Sequence, residues 1–235
     1  MSESLVGMAR HSLAEDQDAQ RIVHNQQLLE RSLALKRELR DARGIAWVLS
    51  WLSTIVHEAR EPQRARELLL ECLKIQQELG DKLSIARTLN RLAEGYRQER
   101  EYAPAAAYYA DSLQRYRDLG SSRGVAMVLH NLGHVTLAQN QLDEARAQFQ
   151  ESLQLYLRLN DREGIALALA GLGGVWTAAG QPRRAASYFA AAETAFHSIN
   201  YFFEATDLLE YQRNLAQARA QLSEADFSSA WAAGC

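Results

Sequence analysis

Apolar positions recur along the chain at the three- and four-residue steps that line one face of an α-helix. Val125, Leu129, Leu132 and Val135 form one such stripe, and Leu142, Ala145, Phe149 and Leu153 form the next. Pairs of stripes return every 40 residues. Gly44-Ile45-Ala46 reappears as Ser84-Ile85-Ala86, Gly124-Val125-Ala126 and Gly164-Ile165-Ala166. Leu52, Leu92, Leu132 and Leu172 keep the same spacing, as do Ala65, Ala105, Ala145 and Ala185. Leu39, Leu79, Leu119 and Leu159 continue it, with Ile199 as a fifth member. Several columns in one register over four copies establish an internal repeat.

Each repeat divides into two helices. The pattern predicts first helices over 44–59, 83–99, 123–139 and 163–179, and second helices over 62–79, 102–119, 142–159 and 182–199. Turn formers separate them: Gly80-Asp81, Gly120-Ser121 and Asn160-Asp161 between repeats, Asn140-Gln141 and Gly180-Gln181 within them. Pro62 and Pro182 fall at a first helical position, where a missing N–H costs little, and Pro104 falls in a first turn. A helix pair of this size buries its apolar face only by stacking on a neighbour, so the expected architecture is an all-α, right-handed α-solenoid of antiparallel helix pairs. Its expected divisions are an N-terminal cap over 1–43, four repeats over 44–83, 84–123, 124–163 and 164–200, and a C-terminal cap over 201–235. The N-terminal cap reads as a degenerate helix near 4–14 followed by a long helix over 18–40. The C-terminal cap reads as a helix over 202–222, with Leu208, Tyr211, Leu215 and Leu222 on one side, then a short helix over 224–232 begun by Ser223. In that register Gln212 and Arg213 replace core residues, which suits the polar outer face of a terminal element.

Composition narrows the function. The 235 residues carry 26 basic and 29 acidic side chains, a net charge of −3, which gives no electrostatic reason to expect nucleic acid or an anionic membrane as partner. No apolar run approaches the roughly 18 residues of a transmembrane helix, and the start of the chain lacks the basic and apolar regions of a signal peptide. Two cysteines, Cys72 and Cys235, form no disulfide framework, so a reducing cytoplasm is expected.

The columns resemble the tetratricopeptide repeat (TPR) family. Repeat two supplies Leu89, Leu92, Ala93, Tyr96, Ala105, Tyr109 and Ser112 at the positions where that family alternates large, small and aromatic residues. Repeat three supplies Leu129, Leu132, Gly133, Thr136, Ala145, Phe149 and Ser152, and repeat four Leu169, Leu172, Gly173, Trp176, Ala185, Phe189 and Ala192. Repeat one is looser, with Leu49, Leu52, Ser53, Val56, Ala65, Leu69 and Cys72. The period exceeds the family's usual one of about 34 residues, and the closing Pro of the common pattern is absent. Two subgroups look closest: 40-residue arrays of peptide-binding scaffold proteins, and the C-terminal arrays of large bacterial ATP-dependent signalling or transcription regulators. The stretch from Ala218 to Ala232 is similar to the second, in which the chain runs on, so a piece of a longer protein is expected, with a short natural product starting at Met1 as the alternative.

The resemblance implies that first helices line a concave groove. The matched columns then place Trp47, Trp51, Arg87, Asn90, Arg91, Glu94, Arg97, His130, Asn131 and His134 on that surface. Trp47 and Trp51 stand one turn apart, as aromatic anchors do at interfaces. Guanidinium forks suit carboxylates, and Asn amides suit an extended peptide backbone. Repeat four offers Gly171 and Gly174, which leave space for a bulky side chain or permit close helix packing. Such a groove fits a peptide or protein segment of acidic character.

Chemistry-bearing patterns are few. His130 and His134 have metal-binding i, i+4 spacing, but Asn131 stands where a metalloprotease needs Glu, and Glu94 is the sole neighbour available as a third ligand. Hydrogen bonding to a ligand suits them better than a metal. Gly171-Leu172-Gly173-Gly174 lies within a helix and makes no phosphate loop. Cys72 shares its column with Ser112, Ser152 and Ala192 and reads as a small buried residue. The sequence therefore implies a non-enzymatic binding module with no cofactor and no metal. The competing reading is a sensory or self-associating domain of a larger signalling ATPase, taking a small molecule, a second copy or an intramolecular partner.

Overall fold

The computed structural model describes the backbone of residues 2–199 and 205–234, and side chains over 20–199 and 210–234. All regular structure in these residues is helical: α1 (Ser2–Glu38), α2 (Ala42–Glu58), α3 (Pro62–Leu79), α4 (Lys82–Gln98), α5 (Tyr102–Asp118), α6 (Ser122–Ala138), α7 (Leu142–Leu159), α8 (Arg162–Ala178), α9 (Pro182–Ser198), α10 (Ala205–Ala220) and α11 (Glu224–Ala232). First helices begin a residue or two earlier than the apolar pattern alone places them. The cause is a side-chain cap that recurs with the repeat. Asp41, Asp81, Ser121 and Asp161 accept from the backbone N–H groups of Gly44, Ser84, Gly124 and Gly164 at 2.9, 3.1, 3.3 and 3.1 Å. Second helices have no side-chain cap at Glu61, Glu101, Gln141 or Gln181, and Pro62 and Pro182 open two of them.

The turns are left-handed at Gly80, Gly120, Gly180, Asn140 and Asn160, as their residue types imply. Arg40, Arg60 and Arg100 adopt the same conformation at φ of 53 to 62°, which their chemistry does not announce. Helix closure imposes it there: Arg60 N–H bonds to the His57 carbonyl at 2.9 Å and Glu61 N–H to that of Val56 at 3.1 Å. Those bonds outweigh a penalty of roughly 1–2 kcal/mol for a side chain in this region.

At the N-terminus a break between helices near 4–14 and 18–40 was expected, but α1 runs continuously from Ser2 to Glu38. No Gly or Pro stands between Gly7 and Gly44 to interrupt it. The side chain of Leu208, residues 201–204 and Cys235 lie outside the described residues. Ser223 caps α11 as expected, accepting from Asp226 N–H at 3.1 Å.

Two compact units, Met1–Gly95 and Tyr96–Cys235, divide the chain within α4. In the first, Val48, Leu49, Leu52 and Val56 of α2 pack with Leu33 of α1 and with Ala65 and Cys72 of α3. In the second, Tyr109, Phe149 and Phe189 repeat at 40-residue steps and are fully buried, each contributing about 2–3 kcal/mol by leaving water. Glycines face them. A Cβ at Gly171 would lie 2.4 Å from the Phe149 ring, and one at Gly173 would lie 2.8 Å from the Phe189 ring.

Candidate functional site

The residues expected on the inward surface fall into two groups, one in each unit. Trp47, Trp51, Arg87, Asn90, Arg91 and Glu94 belong to the first unit. Trp47 and Trp51 are 62% and 53% exposed, with ring centroids 6.2 Å apart in an edge-on arrangement. Trp47 is thus open to solvent and not buried against α1. Arg87 is exposed and makes no ion pair with a described residue. Asn90 is buried and Glu94 half-buried.

Arg91 ties α4 to α2. Its Nη1 donates to the Ser50 carbonyl at 2.7 Å and to Ser50 Oγ at 2.6 Å, and its Nη2 donates to Ser53 Oγ at 3.1 Å and to Thr54 Oγ1. Every one of these acceptors is neutral. Burial pulls the guanidinium below its ordinary pKa, yet an arginine remains charged at any physiological pH. This side of α2 and α4 therefore carries positive charge from Arg87 and Arg91, with the Asp81 carboxylate feeling the charge of Arg87.

In the second unit, Arg97, His130 and His134 gather around Glu210 of α10, and Asn131 lies beside the histidines on α6. Arg97 and His130 are 6% and 5% exposed, and Asn131 and His134 are half-buried. Glu210 of α10, a residue not among the expected ones, reaches His134 Nδ1 at 2.8 Å and Arg97 Nη1 at 3.1 Å. The Nε2 atoms of His134 and His130 face each other at 3.2 Å, so one donates and the other accepts. Both imidazoles stand edge-on to Phe149, at 5.5 and 5.0 Å. His130 Nδ1 is buried and has no hydrogen-bond partner among the described residues. Burial would raise the Glu210 carboxyl, but the His134 imidazole, then Arg97 and Arg213, hold it down at about 2. Burial is the chief reason that His130 lies well below the usual 6.5, and neighbouring His134 and Arg97 push the same way.

Glu210 was legible in the repeat register. It stands 40 residues beyond Ala170 and so continues the column of Ser50, Asn90 and His130 into the capping helix. Asn214 continues the next column, and its side-chain nitrogen would lie 2.9 Å from a Cβ at Gly174. The space left by Gly171 and Gly174 is thus filled from within the chain, by Phe149 and Asn214. No group of three or more His, Cys, Asp or Glu side chains among the described residues could hold a metal ion.

Stacked antiparallel helix pairs, bonded through capped turns and aromatic columns, define a repeat scaffold built for macromolecular contact. The tetratricopeptide repeat family matches residues 44–118 and 124–196, and the chain belongs to that family. Solved structures share the fold. BtubC (BKLC) from P. vanneervenii is 24% identical with a TM-score of 0.68, over 80% of this chain and 78% of that one. The Q17M form of a Podosopora anserina putative kinesin light chain with nearly identical TPR-like repeats is 18% identical with a TM-score of 0.65, over 82% and 95% of the two chains. The apo form of RapI is 19% identical with a TM-score of 0.59, over 83% and 76%. No match was found among curated proteins. The fold is therefore an all-α TPR-like solenoid, an architecture that serves protein–protein interaction and is typically non-enzymatic. No helix among the described residues is long and apolar enough to cross a membrane.

Proposed function

We propose that the protein is a non-enzymatic interaction module that binds a peptide segment of acidic character on the face carried by its first helices. The observation that carries this reading is the exposed pair Trp47 and Trp51 on α2. Two large aromatic side chains held in water by a rigid helix lose little entropy on binding and make efficient anchors. Arg87 and Arg91 supply positive charge that no close ion pair with a described carboxylate neutralises, which favours an acidic partner. Arg91 is already oriented by Ser50, Ser53 and Thr54. A reducing, cytoplasmic setting suits the free thiol of Cys72.

The test is selection from a random peptide display library against the wild-type protein and against Trp47→Ala/Trp51→Ala. Both side chains are exposed, so melting should be unchanged. Peptides enriched in Asp and Glu that bind the wild type and not the variant support the proposal. Equal enrichment on both proteins removes these tryptophans from the site. A second reading, a regulatory domain with an intramolecular partner, draws support from Glu210, which already occupies Arg97 and His134.

A further inference from the structure

We propose that His130, His134, Glu210 and Arg97 form a proton-operated latch, which holds α10 against α6 at neutral pH and releases it on mild acidification. The inference is independent of any peptide on α2 and α4, because every group in it belongs to the second unit.

The geometry is a chain of polar contacts that runs from the partly exposed Glu210 to the buried His130. Arg97 from the last turn of α4 and His134 from α6 both engage the Glu210 carboxylate of α10. His130 lies behind His134, against Phe149 of α7. The charged and titratable groups around His130 are His134 on its own helix, Arg97 from α4 and Glu210 from α10, with Arg213 of α10 also acting on Glu210. Arg97 thus pairs directly with the carboxylate, and the exposed Arg213 adds positive charge from farther away. α10 also meets α8 through Asn214 beside Gly174, and α9 through Tyr211 against Phe189, with the Glu193 carboxylate of α9 acting on Tyr211.

His130 is the element that senses protons. Its Nδ1 is buried with no partner among the described residues, so nothing there stabilises a second N–H. A proton on the buried His130 would add positive charge beside Arg97. Moving α10 away admits water and restores the imidazole to its ordinary range near 6.5. Protons therefore bind the released form more strongly than the latched one, and lowering the pH shifts the population toward release. One proton taken up with a pKa near 6.5 raises the released fraction about tenfold between pH 7.5 and 5.5. Release uncovers His134 and the glycine-lined face of α8 at Gly174, surfaces that Glu210 and Asn214 occupy in the latched state.

The experiment is amide hydrogen exchange on the whole chain at pH 7.5 and 5.5, expressed as protection factors so that the intrinsic pH effect is removed. Protection across Ala205–Ala220 should fall about tenfold at the lower pH, while α7 and α8 stay protected. His130→Asn, which places there the residue found at position 90, should remove that dependence. The proposal is overturned by unchanged α10 protection in the wild type, by the same fall in His130→Asn, or by a parallel fall across α7, α8 and α10. Should His130→Asn not fold, Glu210→Gln decides: α10 protection reduced at pH 7.5, with α7 and α8 retained, supports the latch. Unchanged α10 protection in Glu210→Gln refutes it.

Discussion

Alanine at position 164 is expected to destabilise the protein, although alanine is the better helix former. Gly164 lies in the first turn of α8, and a Cβ there would meet the Tyr156 ring at 2.2 Å. Ordinary contact begins near 3.4 Å, so the ring would have to move by about 1 Å. Tyr156 is 6% exposed and packed with Ala126 and Ala168, which leaves it little room. Overpacking of this kind costs about 1–3 kcal/mol, whereas the helix-propensity gain of alanine is at most about 1 kcal/mol. The net loss should be about 1–2 kcal/mol, or roughly 2–8 °C in melting temperature. Gly95→Ala is the control, because no atom lies within 4 Å of its Cβ position. There the propensity term stands alone and alanine should stabilise by up to about 1 kcal/mol. Urea midpoints followed by far-UV circular dichroism would resolve the opposite signs. The same logic explains Ser84. The residue eight positions before it is Gln76, where the two later repeats have Tyr116 and Tyr156. Transplanting that pair as Tyr156→Gln with Gly164→Ser should remove the penalty that Gly164→Ser carries alone. A Gly164→Ala variant as stable as the wild type, or more stable, would refute the packing argument.

Other expectations follow from the same contacts. Arg91→Ala removes four hydrogen bonds between α4 and α2 and should lower stability by about 1–3 kcal/mol in thermal melting, and Arg91→Lys, lacking the planar fork, should not restore it. Cys72 donates to the Ala46 carbonyl at 3.2 Å just as Ser152 donates to Ala126 at 2.8 Å, so Cys72→Ser should change the unfolding free energy by less than about 1 kcal/mol. The native Cys72 thiol, fully buried and raised in pKa by that burial, should resist a thiol reagent until the chain unfolds. Stability should decline as pH falls. His130 is held below 6.5 in the fold, so the unfolded chain binds the extra proton and stability is lost from about pH 6.5 downward. Glu210 is lowered from 4.5 to about 2, so its contribution, on the order of 3 kcal/mol, is present above 4.5 and lost between 4.5 and 2. Chemical unfolding at a series of pH values, compared with Glu210→Gln, tests the sign.

The local grammar of the chain was written in its sequence. The 40-residue register, the caps at Asp41, Asp81, Ser121 and Asp161, the glycine and asparagine turns and the aromatic column of Tyr109, Phe149 and Phe189 all depend on neighbours within one repeat. Interactions that close within a turn, or between adjacent helices, leave periodic traces. Arg40, Arg60 and Arg100 escaped notice because helix closure, not side-chain chemistry, sets their backbone. The state of the inward residues was not legible in the same way. The columns place Trp51 and Arg91 on one surface, but only packing leaves the first exposed while binding the second to Ser50, Ser53 and Thr54. Likewise His134 and Glu210 stand 76 positions apart, and Arg97 and Glu210 113 apart. Tertiary structure alone brings these three together, because the sequence specifies how each helix pair folds, whereas stacking decides which helix ends meet and which polar groups lose their water.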